Sequence, residues 1–243
     1  MLSPDKVAIV IPCFNEADEI STLVQEARKI VPHVFVIDDG STDRTAELAQ
    51  AAGADVFSNE KRLGKGASML RGLKIALARG FDWALLMDGD GQHAPADILN
   101  FLHADGNYPL VIGNRMHDEK RMPWLRKTVN CWMSDRISNL AGVHLPDTQC
   151  GFRLANLSVW NRLRFETRQF EMESEMVLAF LAAGCHVKFV PVQTIYRNEK
   201  SKIRPFSDTI RWLRWFLRAK RRFNSQSRQK HAAIKNKNLQ TVR

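Results

Sequence analysis

Short, uninterrupted apolar runs alternate along the chain with longer stretches in which apolar residues recur every three or four positions. The run VAIVI at 7–11 stops at Pro12, and Ile20, Leu23, Ala27 and Ile30 then place one apolar stripe on a helix predicted over 16–30. The alternation repeats. HVFVI at 33–37 predicts a second strand, Thr42 is placed to cap a helix over 43–52 that Gly53 ends, and 54–58 predicts a third strand. A helix over 65–78, stopped at Arg79 and Gly80, leads into the strand WALLM at 83–87. Further on, 110–113 and 187–190 read as strands, and 125–140 and 172–183 as helices. Strands without in/out alternation are buried on both faces, and strands separated by helices pair in parallel. The expected fold class is therefore α/β, with a mostly parallel central sheet flanked by helices.

With 44% hydrophobic and 26% charged residues, the 243-residue chain has the composition of a folded protein rather than a disordered one. One α/β domain is expected over 1–205, then a helix over 206–223 and a disordered basic tail over 224–243. The formal net charge of +10 is local. Residues 197–243 hold 15 Lys/Arg against 2 Asp/Glu, whereas residues 1–196 hold 21 against 24.

From a Ser207 cap, Ile210, Trp212, Leu213, Phe216, Leu217 and Phe223 fall on one arc of the C-terminal helix. Arg211, Arg214, Arg218, Arg221 and Arg222 fall largely opposite, with Trp215 among them. A basic amphipathic helix of this kind suits the surface of an anionic membrane; the same stripe could instead pack on the domain or on a second copy in a homo-oligomer. No apolar run reaches the ~18–20 residues needed to cross a bilayer, and the N-terminus lacks a signal-peptide pattern. Cys13, Cys131, Cys150 and Cys185 have no metal-ligand or redox spacing and are expected to be reduced. A cytoplasmic protein at the cytoplasmic face of a membrane is the expected location.

Parallel sheets bind ligands beyond the carboxyl ends of their strands. Four polar clusters fall there: PCFNE at 12–16, DDGSTD at 38–43, DGDGQH at 88–93 and GNR at 113–115. Asp88, Asp90 and Gln92 offer oxygens at alternate positions of one loop, which suits Mg²⁺ or Mn²⁺ shared with substrate phosphates; Asp-Gly is also a common turn pair. KRLGKG at 61–66 could aim backbone N–H groups and Lys65 at a phosphate, or be an exposed turn. It lacks the Walker A spacing, and no G-x-G-x-x-G follows the first strand, so a dinucleotide cofactor is not expected.

PCFNE, VIDDGSTDRT, RLGKG, LLMDGDGQH, GNR, DTQCGFR and YRNEKSK together resemble the family 2 glycosyltransferases of GT-A fold, and within them the dolichyl-phosphate mannosyltransferase and polyprenyl-phosphate glycosyltransferase branch, over about residues 6–205. The resemblance implies inverting, metal-dependent transfer of a sugar from a UDP- or GDP-linked donor to a membrane lipid, polyprenyl phosphate first among the acceptors. It places Pro12, Asn15 and Glu16 at the nucleoside, Asp38 and Asp39 at the base and ribose, and Asp88, Asp90 and Gln92 at the metal. Arg115 and Arg126 would lie near the donor and acceptor phosphates, and Arg197 and Lys202 on a loop closing over the site. That loop is less glycine-rich here than is usual in the family, with Asn198 and Glu199 in it.

A phosphate acceptor is already anionic and needs no strong base; a hydroxyl acceptor would need one. The candidate bases are Asp147, Glu171, Glu173 and Glu175. Arg153 reads as a support for the Gly151 turn, and His93 as a neighbour of the metal loop or a structural histidine. Transfer to a lipid or glycan hydroxyl is the alternative activity. Nucleotidyl transfer lacks its glycine-rich N-terminal loop. Nucleic-acid binding through the basic tail leaves the acidic clusters without a purpose, so no nucleic acid partner is expected.

Overall fold

The apolar runs assemble into one seven-stranded sheet in a computed structural model describing residues 1–104, 106–116, 122–195 and 209–223. The strands are β1 (Val7–Cys13), β2 (Val34–Asp38), β3 (Asp55–Ser58), β4 (Trp83–Leu86), β5 (Leu110–Asn114), β6 (Arg153–Asn156) and β7 (Val187–Pro191). Their order is β3-β2-β1-β4-β6-β5-β7. β1 pairs in parallel with β2 and β4, β2 with β3, and β5 with β7; β6 runs antiparallel to both β4 and β5. The mostly parallel sheet flanked by helices is the GT-A-like α/β arrangement expected from the sequence. The antiparallel β6 is the element that the strand pattern did not reveal.

The helices are α1 (Ile20–Arg28), α2 (Thr45–Ala51), α3 (Lys65–Ala78), α4 (Ile98–Leu102), α5 (Trp124–Ala141), α6 (Leu157–Trp160), α7 (Glu171–Ala182) and α8 (209–223). α3 lies over β1 and β2. Its approach requires glycine at position 72, because a Cβ there would sit 2.3 Å from Val10 Cγ1. Residues 7–11 and 34–37 are all buried, as two-sided strands require.

Two helices start later than periodicity predicts, for one reason. The 15–17 backbone is committed to the loop after β2: the Asn15 N–H donates to Ser41 Oγ, Glu16 N–H to Thr45 Oγ1 and Ala17 N–H to Asp43 Oδ2. α1 therefore begins at Ile20 rather than 16. Likewise the Thr42 N–H goes to Asn15 Oδ1, and Asp43, not Thr42, accepts from the Thr45 N–H that opens α2.

In α8 the expected arc is divided. Trp212, Trp215 and Phe216 are buried, with Trp212 5.4 Å from the Trp132 ring of α5 and 5.1 Å from Phe216, whereas Ile210, Leu213 and Leu217 are exposed. Trp215 thus belongs to the packed face, not among the arginines. The four cysteines, all among the described residues, form no disulfide. No helix among the described residues is long and apolar enough to cross a membrane. The Ser207 cap and the 224–243 tail lie outside the described residues.

Candidate functional site

The loops after β1 and β2 form a single wall at the carboxyl edge of the sheet. Asn15 takes a left-handed φ of 54° so that its Oδ1 accepts from the Thr42 N–H, and the Asp39 N–H donates to Cys13 O at 2.8 Å. Asp39 is saturated internally. Its carboxylate accepts from Asn59 Nδ2 (2.8 Å), Leu63 N–H (2.9 Å) and Gly64 N–H (2.8 Å), which shapes the KRLGKG turn. Asp38 Oδ1 accepts from Ser41 N–H at 3.1 Å, closing its own loop. The second wall is built where β4 ends.

Asp88 sits against Gly151, where any Cβ would fall 2.6 Å from Asp88 Oδ2, so the DTQCGFR turn must carry glycine there. The Lys65 ammonium, at the start of α3, is 2.7 Å from Asp88 Oδ1 and 2.7 Å from Glu173 Oε1. Burial works against the charged forms of both Asp88 and Lys65. The opposite charges win: Lys65 and His93 hold the Asp88 carboxyl well below the carboxylate range, and Asp88 with Glu173 raises Lys65 above its ordinary value. His93 is buried with Nε2 3.4 Å from Asp88 Oδ2 and its ring 4.9 Å from Phe152. Residue 93 also bridges Thr194, and Ile195 N–H donates to Gln92 O, so the segment after β7 is strapped to this loop.

Asp90 and Gln92 are only partly buried and lightly engaged. Asp90 Oδ1 accepts the Gln92 N–H at 3.1 Å, and Gln92 Oε1 accepts from Arg126 Nη1 at 3.1 Å. Among the described residues no three His, Cys, Asp or Glu side chains converge as a ready metal cage. The donor set nonetheless fits a hard divalent ion that takes its remaining ligands from phosphates and water: the Asp90 carboxylate, the Gln92 amide oxygen and the Asp88 carboxylate, whose Oδ1 also meets Lys65.

Arg115 is not free to wander into the site. It forms a bidentate pair with the fully buried Asp147, Nε to Oδ2 at 2.8 Å and Nη2 to Oδ1 at 2.9 Å. Burial favours a neutral Asp147, but the Arg115 guanidinium overrides it and lowers the carboxyl pKa. Glu171 pairs with Arg211, and Glu175 accepts from the Glu166 and Thr167 N–H groups. Lys65 therefore ties the start of α3 to Asp88 of the 88–93 loop. Pro12 and Glu16 lie along the first wall, partly buried. Arg197 and Lys202 lie outside the described residues.

Sequence reasoning set Arg126 near the donor and acceptor phosphates without naming its partner in the protein, which is Gln92 Oε1. It did not pair Lys65 with Glu173, 108 positions apart, and no local signal could have. Nor did it find Ser174, which accepts from both Gln149 Nε2 and Trp212 Nε1.

The sequence profile of Glycosyl transferase family 2 matches residues 8–164, which hold the first wall and the 88–92 loop. The chain belongs to that family. This glycosyltransferase is 26% identical to the UDP-N-acetylglucosamine–dolichyl-phosphate N-acetylglucosaminyltransferase of Methanococcus voltae, over 78% of this chain and 86% of the relative. It is 26% identical to the undecaprenyl-phosphate mannosyltransferase of Micrococcus luteus, over 79% and 85%. Likeness to these proteins supports the polyprenyl-phosphate branch. The fold also matches the crystal structure of glucosyl-3-phosphoglycerate synthase from Mycobacterium tuberculosis in complex with Mn²⁺ and UDP-glucose. That match has a TM-score of 0.70 and 22% identity, and covers 88% of this chain and 78% of that one.

Proposed function

We propose that this glycosyltransferase moves a sugar from a UDP- or GDP-linked donor to polyprenyl phosphate with inversion, at the cytoplasmic face of a membrane. The observation that carries the choice of acceptor is the state of the four candidate bases. Asp147 is paired with Arg115, Glu171 with Arg211, Glu173 with Lys65, and Glu175 caps the 166–167 backbone. A hydroxyl acceptor would need one of them free; a phosphate acceptor needs none.

Asn15, Glu16 and Asp38 line the wall where a nucleoside would lie. Asp88, Asp90 and Gln92 would hold Mg²⁺ or Mn²⁺, which when bound supplies positive charge to the departing diphosphate. Arg126, fixed by Gln92, adds a cation beside that loop and is placed to attract an anionic acceptor. An oxygen of the acceptor phosphate bonds to the anomeric carbon from the face opposite the diphosphate. The carbon–oxygen bond to the nucleotide breaks, and its electron pair leaves with the diphosphate.

The exposed Ile210, Leu213 and Leu217 of α8, flanked by exposed Arg214, Arg218 and Arg221, are the face offered to anionic lipid. Trp124, 77% exposed, adds an amphipathic anchor two residues from Arg126.

The test is incubation of the purified protein with radiolabelled UDP- and GDP-sugars, polyprenyl phosphate and Mn²⁺. A labelled lipid cleaved by mild acid is the expected product. A lipid product stable to mild acid, lost on replacement of one of the four carboxylates, would favour hydroxyl transfer instead. For the surface, Leu213→Ser with Leu217→Ser should reduce co-sedimentation with anionic vesicles; unchanged sedimentation together with a shift from dimer to monomer would assign this face to a second copy.

A further inference from the structure

The first turn of α7 contacts two distant parts of the molecule at once. Glu173 faces inward to Lys65, which holds Asp88 of the metal loop. Glu171 accepts from Arg211 Nε at 2.5 Å, and Ser174 Oγ accepts from Trp212 Nε1 at 2.9 Å, both donors on α8. The turn is pinned from behind as well. The Arg153 guanidinium, fully buried, donates to the carbonyls of Cys150, Thr148 and Glu173, and Gln149 Nε2 donates to Ser174 Oγ.

We propose that α8 is a positioning element of the donor site: Arg211 and Trp212 grip the first turn of α7 and thereby set Glu173, and through it the Lys65 ammonium, against Asp88. The inference rests on the donor-site reading above. Glu173, Ser174 and Trp212 are buried, so the Trp212–Ser174 bond is not exchanged for water, while Arg211, 41% exposed, holds buried Glu171 from the rim. Displacing α8 removes a donor from Ser174 and a cation from Glu171. The turn that aims Glu173 then loses two of its fixed points.

The Trp212 ring also lies 5.4 Å from Trp132 on α5, the helix that carries Arg126. Glu171, Glu173, Ser174, Arg211 and Trp212 all lie beyond the 8–164 segment that the family profile matches. The grip on α7 thus comes from the chain's C-terminal third, and the groups it sets, Lys65 and Asp88, lie within the matched segment. It also gives the lipid-facing helix a way to report its position to the donor side without touching the nucleotide.

The test uses the full chain and Mn²⁺ titrated in the presence of UDP or GDP. Trp212→Phe removes the N–H while keeping an aromatic, though smaller, ring in the packed face; Arg211→Met removes the ion pair and keeps the stem. Together they should raise the Mn²⁺ concentration for half-maximal nucleotide binding at least fivefold while far-ultraviolet circular dichroism stays native. Ser174→Ala, which leaves α8 itself intact, should shift the same midpoint in the same direction. In a Glu173→Gln background the α8 substitutions should add little, because the path they act through is already cut. Wild-type midpoints in the α8 variants, or full additivity with Glu173→Gln, would reduce α8 to ordinary packing and overturn the proposal. Absence of Mn²⁺-dependent nucleotide binding in the wild-type protein would overturn the functional reading and this inference with it.

Discussion

From β1 to β4 the sheet is held by apolar burial: 7–11, 34–37 and 84–87 are closed to solvent, and short loops zip the strand ends together through backbone and hydroxyl groups. From β5 to α8 the same apolar core continues through Val111, Phe152 and Met176, but buried charge is set into it. Arg115 meets Asp147, Arg153 meets three carbonyls, and Glu171 and Glu173 meet Arg211 and Lys65. The antiparallel β6, with Arg153 at its head, is where the two kinds of interior meet. A parallel apolar layer makes a rigid platform that many side chains could share. A buried ionic layer fixes individual groups in direction.

The sharpest way to break this contrast is at the Arg115–Asp147 pair. Arg115→Leu leaves a carboxylate with no counterion in a dry interior and should cost about 3–5 kcal/mol. Leu85→Ala in the apolar half should cost a similar ~2–5 kcal/mol by leaving a cavity. The two are separated by a second substitution. Asp147→Leu added to Arg115→Leu should recover much of the loss in urea denaturation, because an ion pair replaced whole by apolar groups carries no stranded charge. If the double variant is no more stable than the single, the polar half is held by packing after all.

Second in size is the effect on turnover. Asp90→Asn should lower glycosyl transfer at least ~10²-fold with the fold intact, since it removes a charged oxygen where the leaving diphosphate must be stabilised. EDTA should abolish transfer in the wild-type protein, and Mg²⁺ or Mn²⁺ should restore it. Full activity of stripped protein in EDTA would remove the metal from the mechanism.

How far each half could be read from sequence follows from the same contrast. The strands of the first half appear as VAIVI, HVFVI and WALLM because two-sided burial leaves unbroken apolar runs, and the α3 limits follow from its Gly64 and Gly80 flanks. The loop chemistry also showed, since Asp88, Asp90 and Gln92 are neighbours in sequence. β6 did not show, because RLAN has no apolar run and begins with a charged residue whose donors are satisfied by the carbonyls of Cys150, Glu173 and Thr148. The partners of the four candidate bases did not show either: a carboxylate in FEMESE looks the same whether it faces Lys65, Arg211 or substrate. In α8 the helical wheel gave the angles but not which side meets Trp132, so Trp215 was assigned to the wrong face.

A third test separates the halves by acid. Asp147 and Asp88 have carboxyls held below the ordinary value, so the unfolded chain binds more protons than the native one below about pH 4. Their contribution is present above that pH and is lost as pH falls through the native values. Asp97, at the entry to α4, has the opposite sign: burial raises its carboxyl, and its contribution is lost as pH rises through that raised value. The Arg115→Leu, Asp147→Leu double variant should therefore show a shallower loss of stability between pH 4 and the acid limit than the wild-type protein, measured by urea midpoints. An unchanged acid limb would mean that Asp147 does not titrate in unfolding.

The smallest effect is expected from an ion pair with the same chemistry but a different setting. Arg222 near the end of α8 lies 2.5 Å from Glu166, with both side chains about 60% exposed. Water screens the attraction and already solvates either group when the other is absent, so nothing is stranded by breaking it. Arg222→Ala should change stability by about 1 kcal/mol or less, and the change should shrink further in high salt. Set beside Arg115→Leu, it asks whether burial rather than the count of ion pairs makes the charged half stable. A loss of several kcal/mol for Arg222→Ala, insensitive to salt, would mean that α8 is held to the domain by its far end as well as by Arg211 and Trp212, and that the exposed pair is part of the buried network rather than its contrast.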